Sequence, residues 1–198
     1  MAKVVSFTNK KGGVGKTTTV VNMAAYCADF GKRMLLIDLD SQGNATTGLG
    51  FSKSALKKSV YNVLIEDEKV SANILPTQLP LLDILPANVD LTGAEVELVY
   101  KRNRDRILKT ALEEVKDRYD YIFIDCPPSL GLLTINAWAA SDSLIIPLQS
   151  EYYALEGVSQ LMNTISMLKQ HLNPQLTKEG VVITIYGARP TFSNKIPP

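Results

Sequence analysis

The stretch Lys10-Lys11-Gly12-Gly13-Val14-Gly15-Lys16-Thr17-Thr18 lies between an apolar run, Val4-Val5-Ser6-Phe7, and a helix-compatible segment that starts at Thr19. Packing a helix against a strand requires neither clustered glycines nor a lysine followed by threonines. Holding a chain of phosphates together with a metal ion requires all of them. Gly12, Gly13 and Gly15 let backbone N–H groups turn inward onto phosphate oxygens, Lys16 reaches the β and γ phosphates, and the Thr17 hydroxyl can ligate Mg²⁺. The start of the following helix adds positive potential. A strict P-loop carries glycine where this chain has Lys10, so the loop is a variant form in which Lys11 is an additional lysine just before the glycine pair. The expected nucleotide-binding stretch is therefore Lys11, Gly12, Gly13, Val14, Gly15, Lys16, Thr17 and Thr18.

Apolar runs of strand length recur at residues 4–8, 34–38, 81–85, 121–125, 144–148 and 181–186, without polar alternation. Strands apolar on both faces belong in a mostly parallel sheet covered by helices, and helical patterns at 16–30 (closed by Gly31), 94–117, 132–140 and 154–171 separate most of the runs. The expected fold is an α/β, doubly wound, mostly parallel sheet flanked by helices. With 198 residues, 45% of them hydrophobic, the chain reads as a single domain over 1–198. Cys27 and Cys126 lie in apolar runs without metal-ligand spacing, which predicts buried free thiols in a reducing cytoplasm. Neither a signal peptide nor a membrane span is expected.

In such sheets ligands sit at the carboxyl ends of the strands. Asp38 and Asp40 end one run, Asp125 ends Tyr121-Ile122-Phe123-Ile124, and Gln149 and Glu151 follow another. Asp125, before Cys126-Pro127-Pro128, has the form of a Walker B carboxylate acting on Mg²⁺ mainly through water. Period-two alternation predicts that Asp38 and Asp40 share one side of the chain and face the phosphate loop. We expect Asp40 to position the attacking water and Asp38 to support Mg²⁺ and the loop, so that the metal group is Thr17, Asp38 and Asp125 and the catalytic group Lys11, Lys16 and Asp40.

These three segments, the loop at Lys11–Thr18, Asp38-Leu39-Asp40-Ser41-Gln42-Gly43-Asn44-Ala45-Thr46 and Ile124-Asp125-Cys126-Pro127-Pro128, resemble the deviant Walker A ATPases of the ParA/MinD superfamily, nearest to ParA proteins of the Soj type. Pro147-Leu148-Gln149-Ser150-Glu151 with Ala154-Leu155-Glu156-Gly157 is similar to the family's segment after its fifth strand. The resemblance implies a P-loop NTPase that uses ATP and Mg²⁺ and forms an ATP-dependent sandwich homodimer in which Lys11 crosses to the partner's nucleotide. It further implies chromosome or plasmid partitioning, DNA binding without sequence preference, and hydrolysis stimulated by a ParB-like protein, in the cytoplasm on the nucleoid. A non-catalytic nucleotide-binding scaffold and a MinD-like positioning regulator are the alternatives.

Ser41 stands where the family commonly has proline. Gly187-Ala188-Arg189 resembles the family's Asp-Ala-Arg, which makes Arg189 the expected DNA contact, but residues 190–198 depart from the pattern. Against the family's length, roughly fifty further residues, carrying a strand, an adenine-binding loop and a terminal helix, are expected to be missing. The chain's 21 Lys and Arg against 20 Asp and Glu give no global polyanion-binding surface. Any such surface must be local: Lys101, Arg102, Arg104, Arg106 and Lys109 form an excess expected to lie on one helix with Glu113, Glu114 and Asp117. Asn194-Lys195-Ile196-Pro197-Pro198 cannot form the amphipathic helix by which MinD-type proteins reach membranes, so no membrane partner is expected. His171 reads as a surface residue at a helix end, and Trp138 and Tyr152-Tyr153 as core or interface.

Overall fold

The computed structural model describes residues 1–150 and 154–185, with the backbone alone at 154–160 and 185. The apolar runs are strands: β1 (Lys3–Phe7), β2 (Met34–Asp38), β4 (Leu82–Leu85), β5 (Tyr121–Asp125), β6 (Ser143–Gln149) and β7 (Thr177–Ile185), joined by a two-residue β3 (Leu75–Pro76). They form one sheet in the order β3-β4-β2-β5-β1-β6-β7. Every pairing is parallel except the antiparallel β3–β4 edge. This is the doubly wound fold of a P-loop NTPase.

Successive side chains leave a strand on opposite faces, and the sequence fills both. Val4, Leu35, Ile37, Ile122, Ile124, Leu144 and Ile146 enter one core. Val5, Phe7, Met34, Leu36, Phe123 and Ile145 enter the other, where the Phe7 and Phe123 rings meet edge to face at 5.2 Å. The second core is closed by α1 (Lys16–Asp29), which contributes Val20, Ala24 and Ala28, and by α2 (Asn44–Gly48). The first is closed by α3 (Val60–Leu64), α4 (Val70–Asn73), α5 (Leu91–Glu97), α6 (Ile107–Leu112), α7 (Leu132–Ala140) and α8 (Ala154–His171). Trp138 of α7 is core, 1% exposed, and His171 ends α8 on the surface.

The helix expected over 94–117 is instead several pieces. After a 3₁₀ turn at Leu98–Tyr100 the backbone opens at Lys101, and Asn103 takes a left-handed φ of 51°, which asparagine tolerates better than most residues. Asn136 of α7 holds the break from below: its Nδ2 donates to the Arg104 carbonyl at 2.6 Å and its Oδ1 accepts from Leu108 N at 3.1 Å. Lys101, Arg102, Arg104 and Arg106 therefore lie outside the helix that carries Lys109 and is capped by Glu113. Lys101 pairs with Asp67 at 2.7 Å, the Arg104 guanidinium donates to the Val99 carbonyl at 2.7 Å, and Arg106 approaches Asp105 at 3.8 Å. Boundaries elsewhere move slightly, and β7 begins at Thr177 rather than at 181.

Candidate functional site

β1 delivers the chain to the phosphate loop at the carboxyl edge of the sheet, and α1 carries it away. The turn depends on Gly13 at φ 72° and on Gly15 at φ 81°, the residue that caps α1. Four side chains brace it. Asn9, which is buried, donates to the Pro147 carbonyl at 2.7 Å and accepts from Lys11 N at 3.0 Å. Thr184 of β7 donates to the Val14 carbonyl at 2.6 Å. Gln149, at the end of β6, donates to the Gly13 carbonyl at 2.9 Å and accepts from Lys11 Nζ at 3.3 Å. Lys16 is buried and its ammonium donates to the Lys11 carbonyl at 3.2 Å; burial lowers its pKa, against the opposing charges of Asp125, Cys126 and Asp40.

A side chain at Gly15 meets two obstacles at once, the left-handed backbone and the Thr184 Cβ at 3.3 Å from the position of its Cβ. Gly15→Ala is expected to destabilise the protein by about 1–2 kcal/mol from the backbone conformation alone. In a chain of this size that corresponds to a fall in Tm of about 2–8 °C, measurable by thermal denaturation.

Asp38 and Asp125 end neighbouring strands in register with one another. Both are fully buried. Thr17 Oγ1 donates to Asp125 Oδ2 at 2.6 Å, while Asp125 Oδ1 is buried with no hydrogen-bond partner. Burial, and then the Asp38 charge, push the Asp125 carboxyl up to about 8, against the Thr17 hydrogen bond. Burial likewise raises Asp38 to about 6, against its bonds from Thr46. Asp38 accepts from Thr46 N at 2.8 Å, Thr46 Oγ1 at 2.7 Å and Asp40 N at 3.2 Å. Thr46 Oγ1 also accepts from Ala87 N at 2.9 Å, so Asp38 ties the loop after β2 to the loop after β4.

The expectation that Asp38 and Asp40 face the phosphate loop side by side is corrected here. β2 ends at Asp38, and Leu39 N still follows the sheet by donating to the Asp125 carbonyl at 3.0 Å, but Asp40 has left the strand and period two no longer governs it. Asp40 lines a cleft of about 380 Å³ with Gly12, Gly13, Lys16, Thr17, Asn44 and Pro128, whereas Asp38 lies beneath it. Its Oδ1 accepts from Gln42 N at 2.9 Å, which fixes the carboxylate at the wall. Lys11, Gly12, Gly13, Val14, Gly15, Lys16, Thr17 and Thr18 are thus together with Asp40 and Asp125 at one rim. Glu151, Tyr152, Tyr153, Arg189 and residues 190–198 lie outside the described residues. The bracing roles of Asn9, Thr46 and Thr184 escape sequence reading, because each depends on a partner far along the chain.

Among the described residues no three of His, Cys, Asp and Glu converge as a metal cage, and no helix is long and apolar enough to cross a membrane. A hard divalent ion fits the donors that are present: a threonine hydroxyl, a buried carboxylate with one oxygen unpartnered, and space in the cleft for phosphate oxygens and water.

The sequence matches an AAA domain family over residues 2–178. It is 56% identical over 189 residues to the sporulation initiation inhibitor protein Soj of Bacillus subtilis, covering 96% of this chain and 75% of Soj. It is 50% identical over 196 residues to the chromosome partitioning protein ParA of Myxococcus xanthus, covering 99% of this chain and 69% of that protein. Among solved structures it is similar to cobyrinic acid a,c-diamide synthase from Mycobacterium smegmatis with bound ADP and magnesium, at 43% identity and TM-score 0.93, covering 98% of this chain and 79% of that one. A plasmid partition protein from Borrelia burgdorferi follows at 28% identity and TM-score 0.82, covering 96% and 83%. The variant loop with its extra lysine thus sits in a fold and a sequence background that agree with it, and the chain belongs to the ParA/Soj family of P-loop ATPases.

Proposed function

We propose that this chain is a Mg²⁺-dependent ATPase of a chromosome or plasmid partitioning system, working as one domain over residues 1–198. The observation that carries the reading is the pairing of Thr17 with Asp125 under the glycine turn, with Asp125 Oδ1 buried and unpartnered and Asp40 across the cleft. Similarity to a synthase holding ADP and magnesium supports ATP and Mg²⁺ as the ligands, and similarity to Soj and ParA supports partitioning as the task.

In this reading the N–H groups of Gly12 to Thr18 cradle the phosphates, and Lys16 exchanges the Lys11 carbonyl for phosphate oxygens, an anionic acceptor being the stronger. Thr17 and Asp125, with Asp38 supporting, hold Mg²⁺, which when bound supplies charge neutralisation for the transferred phosphoryl group. Asp40 orients the attacking water. Lys11 reaches the nucleotide of a second copy, so that hydrolysis depends on pairing. The ATP-bound homodimer binds DNA without sequence preference, with Arg189 as one contact, and a ParB-like partner stimulates hydrolysis and release at the nucleoid in the cytoplasm.

The test is steady-state ATP hydrolysis with DNA and a candidate ParB-like protein, set against Lys16→Ala. Loss of a hydrogen bond to a charged group, worth about 1.5–3 kcal/mol, is expected to weaken ATP binding by about 10- to 150-fold in that variant. Turnover of the unmodified chain no faster than that of Lys16→Ala would reduce the protein to a nucleotide-binding scaffold.

A further inference from the structure

We propose that Glu95 is a positioning residue for the phosphate cleft: by capping α7 it pins the loop that follows Asp125, and so fixes the Pro128 wall of the cleft. The half of this that concerns turnover rests on the reading of the chain as an ATPase.

The loop between β5 and α7 runs from Cys126 to Gly131 and supplies Pro128 to the cleft. It is fixed at both ends. At its start Cys126 N donates to the Phe7 carbonyl at 3.2 Å, which extends the sheet by one bond. At its end the Glu95 carboxylate accepts from Leu132 N at 2.7 Å and from Leu133 N at 3.3 Å. These are first-turn N–H groups that have no acceptor within their own helix, and a negative charge is favoured beside them. The cap depends on close approach. A Cβ at position 131 would collide with the Glu95 carboxylate, although the backbone there, at φ −90° and ψ −168°, suits any residue. Glycine is required at 131 by the carboxylate rather than by the turn. Pro127 and Pro128 have fixed φ, so the short loop keeps little freedom once both ends are held.

The helix that carries Glu95 also meets the other segment lining the cleft. Asp40 and Asn44 line it together with Pro128, and Thr46, two residues beyond Asn44, accepts through its Oγ1 from Ala87 N at 2.9 Å. Ala87 lies in the loop that leads into α5, whose Leu91 and Ala94 are buried in the core. The Asp40–Asn44 segment is thus fastened at the entry to α5 and the Pro128 loop at Glu95. Removing the cap frees the Pro128 end of this arrangement. It leaves the glycine turn alone, because Asn9, Thr184 and Gln149 brace that turn from other elements. Slower chemistry with nearly unchanged nucleotide binding follows.

The experiment has two arms on the whole 198-residue chain. In the first, amide hydrogen exchange at Leu132 and Leu133 is read by NMR in the nucleotide-free protein. Glu95→Ala and, separately, Gly131→Ala, whose new methyl group displaces the carboxylate, are each expected to speed exchange about 10-fold or more, the loss of a hydrogen bond to a charged group. Glu95→Gln, which keeps one acceptor oxygen, should fall between. In the second arm, kcat for ATP and the affinity for ADP are measured well below the Tm of each variant. Both alanine variants are expected to lose about 10-fold or more in kcat, as small misplacements at a reacting centre do, with affinity within about threefold, and Glu95→Gln to recover part of the loss. The double variant should turn over no more slowly than Glu95→Ala, since Gly131→Ala acts through the carboxylate. Exchange unaltered in both alanine variants overturns the cap. Faster exchange with kcat unchanged reduces Glu95 to a structural cap and overturns the positioning role, as does a loss of affinity equal to the loss of kcat, or additive losses in the double variant. If the unmodified chain hydrolyses no ATP, the ATPase reading falls and takes the turnover half with it, while the pinned loop stands on the first arm.

Discussion

Replacing Lys11 with alanine is expected to abolish ATP turnover and weaken ATP-dependent pairing while leaving ATP binding by the monomer largely intact. In the proposed reading the cis contacts to phosphate come from the glycine backbone and Lys16, and neither is removed. Charge supplied in trans at a phosphoryl-transfer site contributes about 10³–10⁵ in rate, so a fall of at least 1,000-fold, about the lower end of that range, is the expected magnitude. Mixing gives the sharper result. In the proposed arrangement, where each site takes its lysine from the other subunit, a Lys11→Ala chain paired with an Asp40→Ala chain makes one site with both defects and one with neither. Under the proposed cross-subunit role of Lys11, that intact site should hydrolyse ATP. Heterodimers that form without any recovered turnover, or a Lys11→Ala protein with normal hydrolysis, would remove the trans role.

The second large effect is expected at Asp40. Its carboxylate is held at the wall of the phosphate cleft by Gln42 N, yet it braces none of the glycine turn. Asp40→Ala should therefore keep ATP binding and lose hydrolysis by about 100-fold or more, the usual scale for removing a group that positions or activates a reacting water. A dimer that closes but cannot hydrolyse accumulates. Light scattering with ATP should show a lasting dimer where the unmodified chain returns to monomer, and nucleotide affinity should stay within about threefold, too small a change for the loss of a charged contact. Lost ATP binding, or turnover at the normal rate, would move the water-positioning role to another residue.

The local chemistry was legible in the sequence because it is contiguous. Eight consecutive residues from Lys11 to Thr18 carry the loop, and Asp125 follows an unbroken apolar run, so both could be placed at a strand end without knowing the rest of the fold. The sheet was legible for the same reason, since strands buried on both faces are apolar at most positions and lack polar alternation. What stayed hidden was non-local. Asp38 and Asp40 look alike at spacing two, and only the end of β2 and the bonds from Thr46 separate a carboxylate under the loop from one at the cleft wall. The break at Lys101 to Arg106 is held by Asn136, more than a helix away in sequence, and the weak helix formers Asn103 and Asp105 are too slight a local signal to mark it. Elements as short as α2, α3, α4 and β3 fall below the window in which periodicity can be counted.

The hydrogen bond from Thr184 to the Val14 carbonyl spans a sequence separation of 170 residues. The loop is therefore finished by a strand synthesised about 170 residues after it, and closing so long a separation is a late and slow event in folding. On the ribosome, a chain that has exposed the whole glycine turn but not β7 has the phosphate-binding residues without one of their braces. Nucleotide binding then becomes a report on the arrival of β7: the phosphate loop gains this brace only after the sheet has been built out to that strand, long after the loop itself has emerged.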